Sequence, residues 1–323
     1  MRATGSSVDG PVTATTIARP RYNRCDSMVL DRALVVDRLR QRLLSGAGTA
    51  GWGYYAGKSS RLEPTCWALL ALGASWDGAP PHLAFLSARQ SADGLLVETE
   101  PAFANFTSNG LASIVLAQFA PRVPQATRAR LHAGLVAAKG VRISARDPKQ
   151  NNQLQGWPWV RDTFSWVEPT AWCLLALKRV GPGLATAGSE AREQEAEKLL
   201  VNRVCTTGGW NYGNASALGQ DLRAYVPTTA VGLLSLQDRR ALTAVQQSLR
   251  FLMDERLNEP SAMTLALTAL CLRIYGQSVD DVEERLAQAV LASEQSGNLH
   301  AVAMVLYALT ADQHNVEAFC VGA

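Results

Sequence analysis

Four histidines stand among 323 residues, and the six cysteines form no C-x-x-C pair. With ligand-type residues this sparse and unclustered, no zinc framework or redox dithiol can be read from the sequence. No apolar run reaches the roughly 18 residues of a membrane span, and the N-terminus lacks the apolar core of a signal peptide. Charge of one sign is missing too. Lys and Arg number 31 against 28 Asp and Glu, evenly dispersed, and a net charge of +3 is too mild for a nucleic-acid surface. There is no H-E-x-x-H, no phosphate-binding Gly-rich loop, no G-x-S-x-G and no paired Asp-rich diphosphate motif. Asp280 and Asp281 are adjacent but open an outer helix as capping charges.

What is present is apolar and repetitive. A hydrophobic fraction of 47% supports a substantial core. Cys66, Cys173 and Cys271 lie inside apolar helical text and read as buried thiols, so a cytoplasmic protein is expected. Residues 1–27, rich in Ser, Thr, Arg and Gly, are expected to be disordered, with a single domain over 28–323.

The segment "EPTCWALLALG" from Glu63 returns as "EPTAWCLLALK" from Glu168. Weaker copies follow from Ser108 ("SNGLASIVLAQ"), Val226 ("VPTTAVGLLSL"), Glu259 ("EPSAMTLALTAL") and Asn298 ("NLHAVAMVLYAL"). E-P-T is a helix start: proline lacks only an N–H that would be orphaned there, while Glu and Thr supply charge and capping oxygens. The text that follows is apolar on every side, which marks inner helices. Between them lie amphipathic stretches, "MVLDRALVVDRLRQRLL" from Met28 and "PHLAFLSARQ" among them, whose apolar residues recur every three or four positions. Six inner and six outer helices predict an all-α protein of two concentric rings, an (α/α)6 toroid, with an open solenoid as the rival.

The pairs in "GWGYY" (Gly51 to Tyr55), "QGWPW" (Gln155 to Trp159) and "GGWNYG" (Gly208 to Gly213), each ahead of an inner helix, together with "QSADGLL" from Gln90, resemble the prenyltransferase and squalene cyclase repeat family. "QSADGLL" is similar to the family's Q-x-x-x-G-x-W motif, with Leu96 in place of Trp. The resemblance covers about Met28 to Leu309. It implies the toroid of protein prenyltransferase β subunits and class II terpene cyclases, and a central cavity that accepts a long apolar prenyl or terpenoid chain.

Two chemistries occur on that scaffold. The prenyltransferase zinc site falls on Glu259-Pro260-Ser261 and His300, where Ser261 replaces the thiolate ligand. No metal and no other cofactor is therefore expected. The acid motif of class II cyclases falls on "WVEPTA", where Glu168 matches the middle Asp while Trp166 and Pro169 replace its neighbours. Glu168, Glu63 and His300 are the acid–base candidates, and Trp67, Trp172 and Trp166 the candidate cavity wall. The competing reading makes Glu63 and Glu168 structural groups at equivalent helix starts, and His300 a solvent-facing or capping residue. Trp52, Trp157 and Trp210 read as structural pins. A divergent cyclase is one expectation. A non-catalytic scaffold holding a peptide or a separately encoded partner is the alternative, and peripheral membrane contact stays open.

Overall fold

Apolar text that buries all its faces forms six helices: α2 (Leu62–Leu72), α4 (Phe106–Gln118), α6 (Val167–Lys178), α8 (Val226–Ser235), α10 (Ala262–Ile274) and α12 (Leu299–Thr310). In this computed structural model, which describes residues 32–98, 102–144, 149–179, 183–311 and 315–322, every residue of α2 except Glu63 is buried. The amphipathic stretches form α1 (Arg32–Ser45), α3 (Pro80–Ala88), α5 (Gln125–Ala137), α7 (Ala187–Asn202), α9 (Thr243–Glu255) and α11 (Asp280–Ser296). On α9 the buried residues are Val245, Ser248 and Leu252, a single stripe facing inward. The only β-structure among the described residues beyond isolated bridges is a hairpin of Ser216–Ala217 with Gln220–Asp221. The protein is all-α. The expectation of disorder over residues 1–27 lies outside the described residues.

Packing follows the order of the repeats. Helix α2 packs on α4, α4 on α6, α6 on α8, α8 on α10 and α10 on α12, and α12 packs on α2. The packing of α4 on α6 needs Gly110: a Cβ there would lie 2.7 Å from the carbonyl carbon of Trp172. Each outer helix lies against an inner one, α3 on α2, α5 on α4, α7 on α6, α9 on α8 and α11 on α10, while α1 lies on α12.

The Gly-Trp pairs act as pins. The backbone N–H of Trp52 donates to Thr65 Oγ1 at 2.9 Å, and its indole N–H donates to the carbonyl of Leu43 at the end of α1. Trp157 repeats this with Thr170 and Leu135, and Trp210 with Thr229 and Leu200. Each pin ties the end of an outer helix to the first turn of an inner one and satisfies buried polar groups in doing so. In the second repeat Asn109 takes over the threonine's part, bonding both the N–H and the carbonyl of Leu96.

Two alignments shift. In α8 the pin threonine is Thr229, not the Thr228 that matches E-P-T by eye. Glu259 and Pro260 lie before α10, which begins at Ala262, so this E-P-S is not an inner-helix first turn like the others. No Gly-Trp pair precedes α10 to fix its register.

Candidate functional site

Inner helices apolar on every side leave the second residue of the first turn as the position that faces their shared N-terminal end. That residue is Glu63 in α2, Thr107 in α4, Glu168 in α6 and His300 in α12. The helix starts are held by neighbouring repeats. The N–H of Phe106 donates to the carbonyl of Trp159, that of Val167 to Tyr212, and that of Leu299 to Tyr54 at 2.8 Å. The N–H of Leu62 donates to Glu98 Oε1 at 3.1 Å, and Glu98 is also paired with Arg61. Glu98, not Glu63 or Glu168, is therefore the carboxylate that serves a helix-start backbone donor here.

Glu63 is engaged by side chains. Tyr54 donates its hydroxyl to Glu63 Oε2 at 2.7 Å, and His300 Nε2 lies 3.8 Å from Glu63 Oε1, beyond hydrogen-bond reach. His300 is 8% exposed, and its Nε2 has no hydrogen-bond partner. Capping of α12 falls to Asn298, whose side chain accepts from the N–H groups of His300 and Ala301. Burial holds the His300 imidazole below its ordinary pKa, although the charge of Glu63 pulls the other way. Burial therefore favours its neutral form.

Glu168 occupies the equivalent place two inner helices away. Burial, reinforced by the negative charge of Glu63, pushes its carboxyl up to about 7. No hydrogen-bond donor among the described residues reaches it. Aromatic residues are exposed around these helix starts: Tyr54, Tyr55, Phe164, Tyr212 and Tyr225 form an aromatic rim. The rings of Tyr212 and Tyr225 lie 5.2 Å apart. Trp166 belongs to this rim, packed on Phe164 at 4.6 Å and against the backbone at Gly213.

Trp67 and Trp172 lie four residues further along their helices, about 6 Å deeper at the α-helical rise. They meet edge to face at 6.0 Å. Tyr307 of α12 and Phe319, which follows the last repeat in a short 3-10 turn (Asn315–Phe319), complete a four-ring cluster with centroids 5.6 to 6.1 Å apart. Phe319 is fully buried. The segment is fastened from two helix ends, as Gln237 Nε2 donates to the Phe319 carbonyl and Arg179 donates to the Cys320 carbonyl.

Of the sequence candidates, Glu63 and His300 come within 3.8 Å of each other, Glu168 lies near enough to feel the charge of Glu63, Trp67 meets Trp172, and Trp166 packs on Phe164. Tyr54 and Phe319 were missed. The adjacent aromatics of "GWGYY" were a signal for the first, whereas Phe319 stands outside every repeat. Among the described residues no three His, Cys, Asp or Glu side chains converge as metal ligands would, and no helix is long and apolar enough to cross a membrane.

No family model matches the chain, and no curated protein does. Among solved structures, one described as "Crystal structure of a protein from Actinoplanes" superposes with a TM-score of 0.51. It is 14% identical and covers 86% of this chain and 98% of its own. A likeness at that identity concerns the fold alone.

Proposed function

We propose that the chain is an (α/α)6 toroid that takes an isoprenoid-type apolar chain through the mouth at the inner-helix N-termini. The return of α12 onto α2, and the bond from Leu299 to Tyr54, support ring closure. The observation that carries the ligand reading is the nearness of exposed aromatic rings to the Glu63–His300 pair, with the Trp67–Trp172 pair one turn further along α2 and α6. Aromatic faces favour both an apolar chain and any positive charge developing on it.

Glu168 limits the chemistry. A carboxyl pushed up to about 7 is protonated in about half the molecules at neutral pH and can donate that proton to oxygen, as in an alcohol or epoxide. Protonating an unassisted alkene needs a far stronger acid, made so by hydrogen bonds that Glu168 lacks. A cyclase of this design would start from an oxygenated end. A cytoplasmic setting is the matching proposal for the compartment, supported by the free thiols of Cys66, Cys173, Cys205, Cys271 and Cys320.

The alternative is a non-catalytic scaffold whose rim holds a peptide or protein partner. Phe319 favours it by filling the space between Trp67, Trp172 and Tyr307. Native mass spectrometry with organic extraction of protein purified from its host separates the two. A co-purifying polyprenyl or terpenoid, turned over by the wild type and not by Glu168→Gln, supports the first reading. A bound protein chain with no extractable lipid overturns it in favour of the scaffold.

A further inference from the structure

Among the described residues no lysine or arginine pairs with Glu63 or Glu168. Glu63 is met by the Tyr54 hydroxyl, a neutral donor. The nearby Arg61 is turned to Glu98 at 3.7 Å. Tyr212, on the opposite part of the rim, feels Glu168 and Glu259, both acidic, and its hydroxyl is held above its ordinary pKa by burial and then by these charges.

A second observation is independent of the carboxylates. His300 Nε2 is buried, unpartnered and directed at Glu63 Oε1 across 3.8 Å. With the imidazole proton on Nδ1, Nε2 is an acceptor, and a buried acceptor without a donor costs free energy. The Thr107 hydroxyl, on the α4 start between α2 and α6, is likewise buried and unpartnered. What would satisfy this arrangement is a ligand that brings several N–H donors and a positive charge, with an apolar body to lie on the rings. A carboxylate or phosphate would meet Glu63 as a like charge.

We propose that the mouth receives an N–H-bearing organic cation, an alkylammonium whose head bridges Glu63 and His300 Nε2 and whose tail lies along the exposed rings of Tyr54 and Tyr55. The tail, but not the head, rests on the apolar-chain reading given above.

The test is isothermal titration calorimetry of the full chain at pH 7.5 with octylammonium, methylammonium, 1-octanol and octanoate. Octylammonium is expected to bind about tenfold or more tightly than 1-octanol, with octanoate weakest, as charge pairing and cation–π contact in a partly desolvated site imply. Glu63→Gln, close to isosteric and still able to meet Tyr54, is expected to erase most of that advantage while leaving 1-octanol affinity within about twofold. Equal affinities for octylammonium and 1-octanol would overturn the cation site and leave the apolar reading standing. Equal affinities for octylammonium and methylammonium would sustain the cation site and remove the apolar tail. No binding by any probe to correctly folded protein would overturn both.

Discussion

Replacing Glu168 by glutamine removes the carboxyl that burial and the charge of Glu63 hold above its ordinary pKa. In the unfolded chain this carboxyl loses its proton near 4.5, and in the folded protein near 7. Between those values the native state binds more protons than the unfolded state, so the contribution of Glu168 makes stability fall as pH rises. The loss begins near pH 4.5 and is complete above 7. At 1.36 kcal/mol per pH unit the interval corresponds to about 3 kcal/mol, a sizeable share of the 5–15 kcal/mol that holds a typical domain together. Glutamine has nearly the same shape and no ionisation to suppress. The advantage of Glu168→Gln over wild type is therefore expected to grow by about 3 kcal/mol between pH 4.5 and pH 8. Urea unfolding followed by circular dichroism at intervals over that range reads it directly. Glu63→Gln serves as the control, since removing the second cause of the shift should shrink the pH-dependent part without abolishing it. A stability difference between Glu168→Gln and wild type that stays flat across the range would refute the reasoning, because it would mean that the carboxyl is solvated or already hydrogen-bonded.

Three further outcomes test the frame around the site. Trp157→Phe leaves the Leu135 carbonyl without its donor and removes part of the ring that Arg192 covers at 4.1 Å, so a loss of about 2–3 kcal/mol is expected in denaturant titrations. Gly110→Ala forces α4 away from Trp172 on α6, and melting measurements should register about 1–3 kcal/mol of destabilisation. An unchanged or higher midpoint would contradict the close packing of that pair. Phe319→Ala removes one of four packed rings and should cost about 3–5 kcal/mol while opening space that takes up benzene or xenon. A variant that is destabilised but binds neither probe would show that the ring cluster collapses into the space.

The parts of this architecture legible in the sequence are those built from contacts close along the chain. Trp52 and Thr65, like Trp157 and Thr170, are 13 residues apart, and so are Leu96 and Asn109, which make the same link with different chemistry. A fixed interval is visible as text, and it located Glu63 and Glu168 at equivalent places. The hairpin of residues 216–221 stretches the interval to 19 in the fourth repeat, which is why Thr228 was matched where Thr229 makes the bond. Without a Gly-Trp pair before α10, nothing set the register of Glu259, and the resemblance in letters did not survive as one in position. The chemistry of the mouth arises from contacts that no interval encodes. Glu63 and His300 come from opposite ends of the repeat array and meet through the packing of α12 on α2, while Phe319 reaches Trp67 from beyond the final repeat. The same glutamate in two equivalent helix starts looks architectural when each is read alone. In the fold their surroundings differ: Glu63 takes Tyr54 as its donor, while Glu168, with no donor among the described residues, is pushed up to about 7 by burial and by the charge of Glu63.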